Sequence, residues 1–291
     1  MELEELALLE NRKKDIRRFI SDILKDDSEK DSVVIEACKY MSLNDSSGLY
    51  RPLLLMATAE DYSVPVRKSL RIGTAIELVH VESLIADDIM DNSEIRRGRP
   101  SCHVKYGPNI AILVQDYLRE IAQEVIENTR ISHQQRNDIN RMASGTGKKM
   151  VYGQEKDVLQ RDLDTPEKVI RMYEQKSGAL IGAALACAGI LGNASKMDID
   201  NLESIGVAAG VSYQIIDDVR DVKGTFEEMG KPVNQDSKKQ TLLKLVGLDG
   251  VKRLKQEKDG QVDDLMDRLQ GNASNLRNLI MYLRSKRDAI L

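Results

Sequence analysis

Tryptophan is absent from the 291-residue chain and phenylalanine occurs only twice. So few flat rings leave little for exposed bases to stack on, which argues against a single-stranded nucleic acid as partner. The basic excess that nucleic-acid binders carry is missing too: 43 Lys and Arg stand against 47 Asp and Glu, a net charge of −4. Cysteine is scarce. Cys38, Cys102 and Cys187 are odd in number and far apart, which argues against a disulfide framework or a paired-cysteine metal site. A reducing cytoplasm is the expected compartment. No apolar run approaches the length of an integral membrane segment. The acidic, amphipathic opening MELEELALLENRKKDIRRF lacks the basic-then-apolar order of a secretory leader. Alternating strand patterns, internal repeats and low-complexity linkers are also wanting.

What is present is helical periodicity. Hydrophobic residues make up 41% of the chain, enough for a large buried core. Over 4–25 they fall at Leu6, Leu8, Leu9, Ile16, Phe19, Ile20 and Ile23, a three-to-four rhythm. Residues 73–91 (GTAIELVHVESLIADDIMD) form a long apolar run without proline, too long for a strand. Helices are predicted over 109–128, 134–159, 165–192, 197–222, 240–258, 260–269 and 273–290. Short turn signals stand at 44–48, 97–100, 107–108, 192–193 and 230–232. The expected fold is all-α. Because the two most informative segments lie far apart in sequence, one domain over 1–291 is expected.

The chemistry concentrates in two clusters. In Asp87-Asp88-Ile89-Met90-Asp91, the first and last acids are one helical turn apart with Asp88 beside them, and three carboxylates so close repel without cations. Alone, the cluster reads as a solvated helix end. A second cluster, Asp217-Asp218-Val219-Arg220-Asp221, repeats the spacing at the end of a small-residue helix, ESIGVAAGVSYQII. Two such helices facing each other would line a cavity with carboxylates for hard divalent cations. Magnesium is commonly shared between a few carboxylates and phosphate oxygens, so metal plus diphosphate is the expected occupant. The three scattered histidines offer no zinc spacing. Cations follow. Arg96, Arg97 and Arg99 sit in a loop after the first cluster, Lys176 interrupts a small apolar helix, and Lys231 follows Gly230. Guanidinium forks suit phosphate oxygens. Each cation alone reads as a surface charge; with two acid clusters, the phosphate reading wins.

Taken in order, Arg51-Pro52, LVHVESLIADDIMD, RRGRPSCHVKYG, Asp116, GQEKDV (Gln154, Asp157), Lys176-Ser177-Gly178, YQIIDDVRD, Gly230-Lys231-Pro232 and KKQTLLKLVGLDG (Lys239) resemble the trans-isoprenyl diphosphate synthases of the polyprenyl synthetase family. The resemblance runs from about residue 45 to the end. It implies an isoprenoid-synthase-type helical bundle around a central cavity, and a homodimer. The implied activity is a prenyltransferase joining isopentenyl diphosphate to an allylic prenyl diphosphate. It implies about three Mg²⁺ per site, ligated by Asp87, Asp91 and Asp217, with Asp88, Asp218 and Asp221 in support. Arg96, Lys176, Ser177, Gln214 and Lys231 would hold the allylic diphosphate. Arg51, His80 and Arg97 would hold that of isopentenyl diphosphate. Asp87, Asp88, Asp91, Lys176 and Lys231 are thereby the candidate catalytic residues. The departing diphosphate is the usual proton acceptor of such enzymes, and no side chain stands out as a base. The basic Arg284, Lys286 and Arg287 read equally as a site closure and as a solvated helix end.

The sequence departs from the family in three places. Where a lysine usually stands three residues before Arg51, this chain has Gly48. A charged contact to phosphate is worth roughly 1.5–3 kcal/mol, so weaker isopentenyl binding is expected. The chain-length positions four and five residues before Asp87 are Ser83 and Glu82. Ser83 suits a geranylgeranyl or somewhat longer product, whereas Glu82 is unexpected beside a hydrocarbon tail. Gln115, Arg119 and Gln123 form a polar stripe on the next helix. The stripe is wet or meets a partner subunit, or else Glu82 pairs with Arg119 and caps the tunnel. A terpene cyclase, a head-to-head prenyl synthase and an accessory subunit of a paralogous synthase are the competing functions. Loss at Gly48 fits the first two. The intact Arg51, His80 and Arg97 argue against them, and the two intact acid motifs argue against the third.

Overall fold

The structure, a computed structural model, describes residues 3–25, 29, 31–224, 239–271 and 273–288. Almost all of these are helical, as the periodicity predicts. Helix α1 (Leu3–Lys25) buries Leu9, Ile16, Ile20 and Leu24, which lie four or seven apart and so share one face. Periodicity does not announce α2 (Val33–Ser42) or α3 (Tyr50–Asp61). The first is short and starts where the Ser32 side chain accepts from the Val34 N–H. The second is buried continuously from Pro52 to Ala59, so no polar face marks a period.

Helix α4 (Val66–Met90) begins earlier than the predicted residue 73 and carries the first acid cluster at its C-terminal end. A tight antiparallel hairpin follows, β1 (Ile95–Arg96) and β2 (Arg99–Pro100). Its strands are too short for alternation to register in the sequence. Arg97 (φ 53°) and Gly98 (φ 76°) make the turn, both in the left-handed region that two-residue hairpins favour. Then come α5 (Cys102–Tyr106), α6 (Pro108–Glu127) and α7 (His133–Leu159), the last opened by a Ser132–Gln135 capping box. The run predicted as one helix over 165–192 is α8 (Pro166–Tyr173), a π-helical turn (Glu174–Gly178) and α9 (Ala179–Leu191). Helix α10 (Lys196–Lys223) carries the second cluster. The break expected near residue 259 is absent. Instead α11 (Leu242–Asp267) kinks at Gly247, whose φ of 65° no helix accommodates. Helix α12 (Ser274–Arg287) closes the bundle.

All of α9 is buried, and it crosses α10 at close range. A β-carbon on Gly206 would come within 2.6 Å of the Gly182 backbone, and one on Gly210 within 2.6 Å of the Gly178 Cα. The small-residue pattern of α10 is therefore a backbone-to-backbone crossing, and it fixes the second acid cluster beside the π turn. Among the described residues, no helix is long and apolar enough to cross a membrane.

Candidate active site

Helices α3, α4, α6, α7, α10 and the π turn enclose one cavity of about 1350 Å³. Both acid clusters reach it, but not with every acid. Asp87 and Asp91 line the cavity from α4. Asp88 points elsewhere: it is fully buried and accepts from Arg96 Nε at 2.9 Å. Burial raises its pKa against the opposing pull of Arg96. Asp88, a candidate catalytic residue in the sequence, thus lies outside the cavity lining and against Arg96. Asp217 and Asp218 line the cavity from α10, and Asp221, expected in support of the metal, is buried outside the lining. Asp218 accepts from Tyr173 Oη at 2.5 Å.

The cavity-facing acids meet cations. Lys176 Nζ lies 2.6 Å from Asp157 Oδ2 and 3.3 Å from Asp87 Oδ1. Lys239 Nζ lies 2.8 Å from both Asp91 Oδ2 and Asp157 Oδ2. Burial alone would raise the pKa of Asp157, but the two ammonium groups outweigh it and hold the carboxyl below its usual range. Gly153 explains how α7 comes so near: a β-carbon there would collide with the Lys176 backbone nitrogen. Ser177 Oγ donates to Gln214 Oε1 at 2.8 Å, and both residues line the cavity. Arg96 lines the same cavity. Lys231 lies outside the described residues.

Arg51, His80 and Arg97 also converge on the cavity wall. Behind them stands Glu77, 1% exposed, which accepts from Ser47 Oγ at 3.3 Å and has Arg97, Arg51 and Arg17 as nearby cations. Burial and then Arg51, Arg97 and Arg96 drive the His80 pKa well below its ordinary value, so the imidazole is neutral at physiological pH. Arg51 Nε is buried and has no hydrogen-bond partner among the described residues. A buried guanidinium donor aimed at a cavity is what an anion would satisfy. Arg99, by contrast, stacks 4.0 Å over the Tyr40 ring and donates to the Tyr40 carbonyl, away from the cavity.

Gly48 does not line the cavity. A β-carbon there would come within 2.5 Å of the Tyr50 ring, and that ring packs edge-on against Tyr213. Arg287 lies 3.1 Å over the Tyr213 centroid and donates to Asp217. Burial lowers its pKa to about 9. Its neighbours stay out: Arg284 pairs with Asp263 and Asp259, and Lys286 lies over Tyr282. On the α6 side, Glu82 and Arg119 form an ion pair, and Ser83 Oγ donates to the His80 carbonyl at 2.8 Å. Gln115 and Gln123 line this end as well.

Glu77, Asp157, Tyr173 and Arg287 are the residues that sequence reasoning underrates. Glu77 had a signal, an acid inside an apolar run. Asp157 has its place in the GQEKDV element but no role of its own, and Arg287 reads only as part of a basic end that closes the site or is solvated.

Among the described residues, no three metal-ligating side chains converge on one point. The carboxylates instead approach from two walls, which suits a cation whose remaining ligands are phosphate oxygens and water.

Similar proteins share this arrangement of helices. A farnesyl diphosphate synthase of Micrococcus luteus is 36% identical over 255 residues, covering 85% of this chain and 87% of that one. An FPP/GFPP synthase from Zymomonas mobilis superposes with a TM-score of 0.84 at 29% identity, over 97% of this chain and 99% of the other. A geranyltransferase from Helicobacter pylori, solved with magnesium and isoprenyl diphosphate, gives 0.83 at 26% identity, over 98% of each chain. With residues 31–283 matching the pattern of the polyprenyl synthetases, this chain belongs to that family.

Proposed function

We propose that the chain condenses isopentenyl diphosphate with an allylic diphosphate, giving a longer all-trans prenyl diphosphate. One observation carries this reading: more cations than one diphosphate needs, Lys176, Lys239, Arg96, Arg51 and Arg97, border a single carboxylate-lined cavity. Lys176, Lys239 and Arg96 pair with acids of the first cluster, and Arg51 and Arg97 gather around Glu77 beside His80. A cyclase needs one diphosphate site, whereas a condensing enzyme needs two.

Asp87, Asp91 and Asp217 would hold magnesium, with Asp218 in support. The magnesium and isoprenyl diphosphate of the Helicobacter pylori relative favour the same assignment. Bound there, the metal would stabilise charge on the leaving diphosphate. Lys176, Arg96, Gln214 and Ser177 orient the allylic diphosphate. Arg51 and Arg97 clamp the isopentenyl diphosphate through charge, and neutral His80 adds a hydrogen bond. The isopentenyl double bond attacks the allylic carbon as its carbon–oxygen bond breaks, and the proton lost from the product goes to the departing diphosphate. Exclusion of water from the developing cation matters, since the cation would otherwise be hydrolysed.

Glu82 and Arg119 set the depth available to the tail, and small Ser83 leaves room for a geranylgeranyl or somewhat longer product. The exposed Ile112 and Leu113 of α6 support a homodimer. The buried free thiols Cys38, Cys102 and Cys187 suit the cytoplasm.

The test is purified protein with Mg²⁺, labelled isopentenyl diphosphate, and geranyl, farnesyl or geranylgeranyl diphosphate, the products sized by chromatography. Elongated diphosphates are expected. Hydrocarbon products would establish a cyclase or head-to-head synthase, and activity appearing only with a paralogous synthase would establish an accessory subunit.

A further inference from the structure

The hairpin that carries Arg96 and Arg97 is too small to hold its own shape. Each strand has two residues, and a lone two-stranded hairpin is marginal in water. Its turn also places Arg97 at φ 53°, a left-handed backbone that an arginine keeps only when its surroundings impose it. Both strands are gripped from outside. On β1, Arg96 Nε donates to Asp88 Oδ1 of α4 at 2.9 Å. On β2 the grip comes from Tyr40, in the last turn of α2, where a helix leaves carbonyls without intrahelical donors. Arg99, opposite Arg96 in the ladder, donates to the Tyr40 carbonyl, and its guanidinium stacks 4.0 Å over the Tyr40 ring. Tyr40 Oη in turn donates to the Pro100 carbonyl at 2.8 Å. The segment that follows closes on the same ring. Lys105 Nζ lies 3.9 Å from its centroid, and Tyr106, edge-on to it at 5.6 Å, donates to Glu36 Oε1 at 2.9 Å.

The two grips act differently. Arg96 is fixed through its own guanidinium, which pairs with Asp88. Arg97 stands at the turn between the strands, beside the buried Glu77. Where its backbone lies therefore depends on both strands being held, and Tyr40 holds the second. We propose that Tyr40 is a positioning residue for isopentenyl diphosphate: through Arg99 and Pro100 it locks β2, and so sets Arg97 at the cavity wall. A guanidinium fork meets phosphate oxygens in a fixed geometry, so a small shift of the backbone loses contacts. The inference rests on the assignment of Arg97 to isopentenyl diphosphate given above.

Elongation kinetics with isopentenyl diphosphate and the allylic diphosphate varied separately test the proposal. Tyr40→Leu, which loses both ring and hydroxyl, is expected to raise the KM for isopentenyl diphosphate by about tenfold, the lower end for a charged contact to phosphate. The KM of the allylic diphosphate should stay where it is. Tyr40→Phe keeps the stack on Arg99 and loses the Pro100 bond, so its isopentenyl KM should rise less. On an Arg97→Gln background, Tyr40→Leu should add little to that KM, because the group it places is gone. An unchanged isopentenyl KM in Tyr40→Leu would overturn the proposal. Equal increments with and without Arg97 would overturn it too. So would a lowered kcat and Tm with both KM values unmoved, the pattern of a purely structural role.

If circular dichroism shows that Tyr40→Leu does not fold, Arg99→Leu on β2 decides the matter. It must raise the isopentenyl KM in the otherwise native chain and leave it unchanged beside Arg97→Gln; any other result refutes placement through β2. A native chain that does not elongate, or an Arg97→Gln variant with the native isopentenyl KM, would overturn the underlying reading together with this one. Native elongation and a raised KM in Arg97→Gln, with Tyr40→Leu indifferent, would overturn only the role of Tyr40.

Discussion

Replacing Glu82 and Arg119 together by alanine should lengthen the product. The Glu82 side chain is buried to 10% exposure, whereas that of Arg119 is 62% exposed, so their attraction is well screened and holds the pair by only about 1 kcal/mol. What matters to a growing chain is the cost of displacing water from that pair. Adding one isoprene unit to the tail gains about 4 kcal/mol if its five carbons enter an apolar space, at roughly 0.8 kcal/mol per buried methylene. Glu82 has little water left to lose, but stripping it from the exposed Arg119 costs several kcal/mol, which offsets that gain. Growth then stalls at the pair. With two alanines the floor becomes apolar, and the next unit recovers most of its burial energy. The assay is the length distribution of products from labelled isopentenyl diphosphate at equal turnover. A shift of the main product by at least one isoprene unit is expected. The exchange Glu82→Arg with Arg119→Glu restores a charged floor and should return the native length. An unaltered distribution in the double-alanine variant would refute the reasoning, and so would lengthening in the charge-exchanged one.

Glu77→Gln removes the buried anion among Arg51, Arg97 and Arg17, and stranding buried guanidinium groups costs about 3 kcal/mol. Thermal denaturation should show a Tm several degrees lower, and saturating isopentenyl diphosphate should recover more of the loss than it adds to the native protein; equal ligand shifts would argue against it. Gly48→Lys should lower the KM for isopentenyl diphosphate, but the new side chain must first displace Tyr50. The gain should therefore approach about tenfold, near the lower value for a charged contact, only when Tyr50→Leu accompanies it; an unchanged KM in both variants would exclude a phosphate contact at residue 48. Because burial and neighbouring arginines hold the His80 pKa well below 6.5, its imidazole should show no protonation between pH 6 and 8 by nuclear magnetic resonance. His80→Gln, a neutral donor, should leave the pH profile of kcat/KM unmoved across that range, and a vanished inflection near pH 6.5 would show that His80 acts as a cation.

Helical periodicity established the all-α class by itself, because burying one face every 3.6 residues is a local requirement written along each helix. It lost α3, whose burial on nearly every side erases the period, and misplaced the break in α11, where a single glycine at positive φ decides. The acid clusters and most phosphate-facing cations were legible because residue types at helical spacing announce shared chemistry. Direction was not legible in full. Asp88 sits about 100° around the helix from Asp87 and meets Arg96 outside the cavity lining. Asp221, one turn beyond Asp217 and close to it in phase, is buried outside that lining, which spacing along the helix does not reveal. The contacts of Asp157, Glu77 and Arg287 belong to tertiary structure alone. Asp157 meets Lys239 across 82 residues of chain, and Arg287 meets Asp217 across 70. Charge pairing acts through distance in space, and sequence separation carries no record of that distance until the helices have packed.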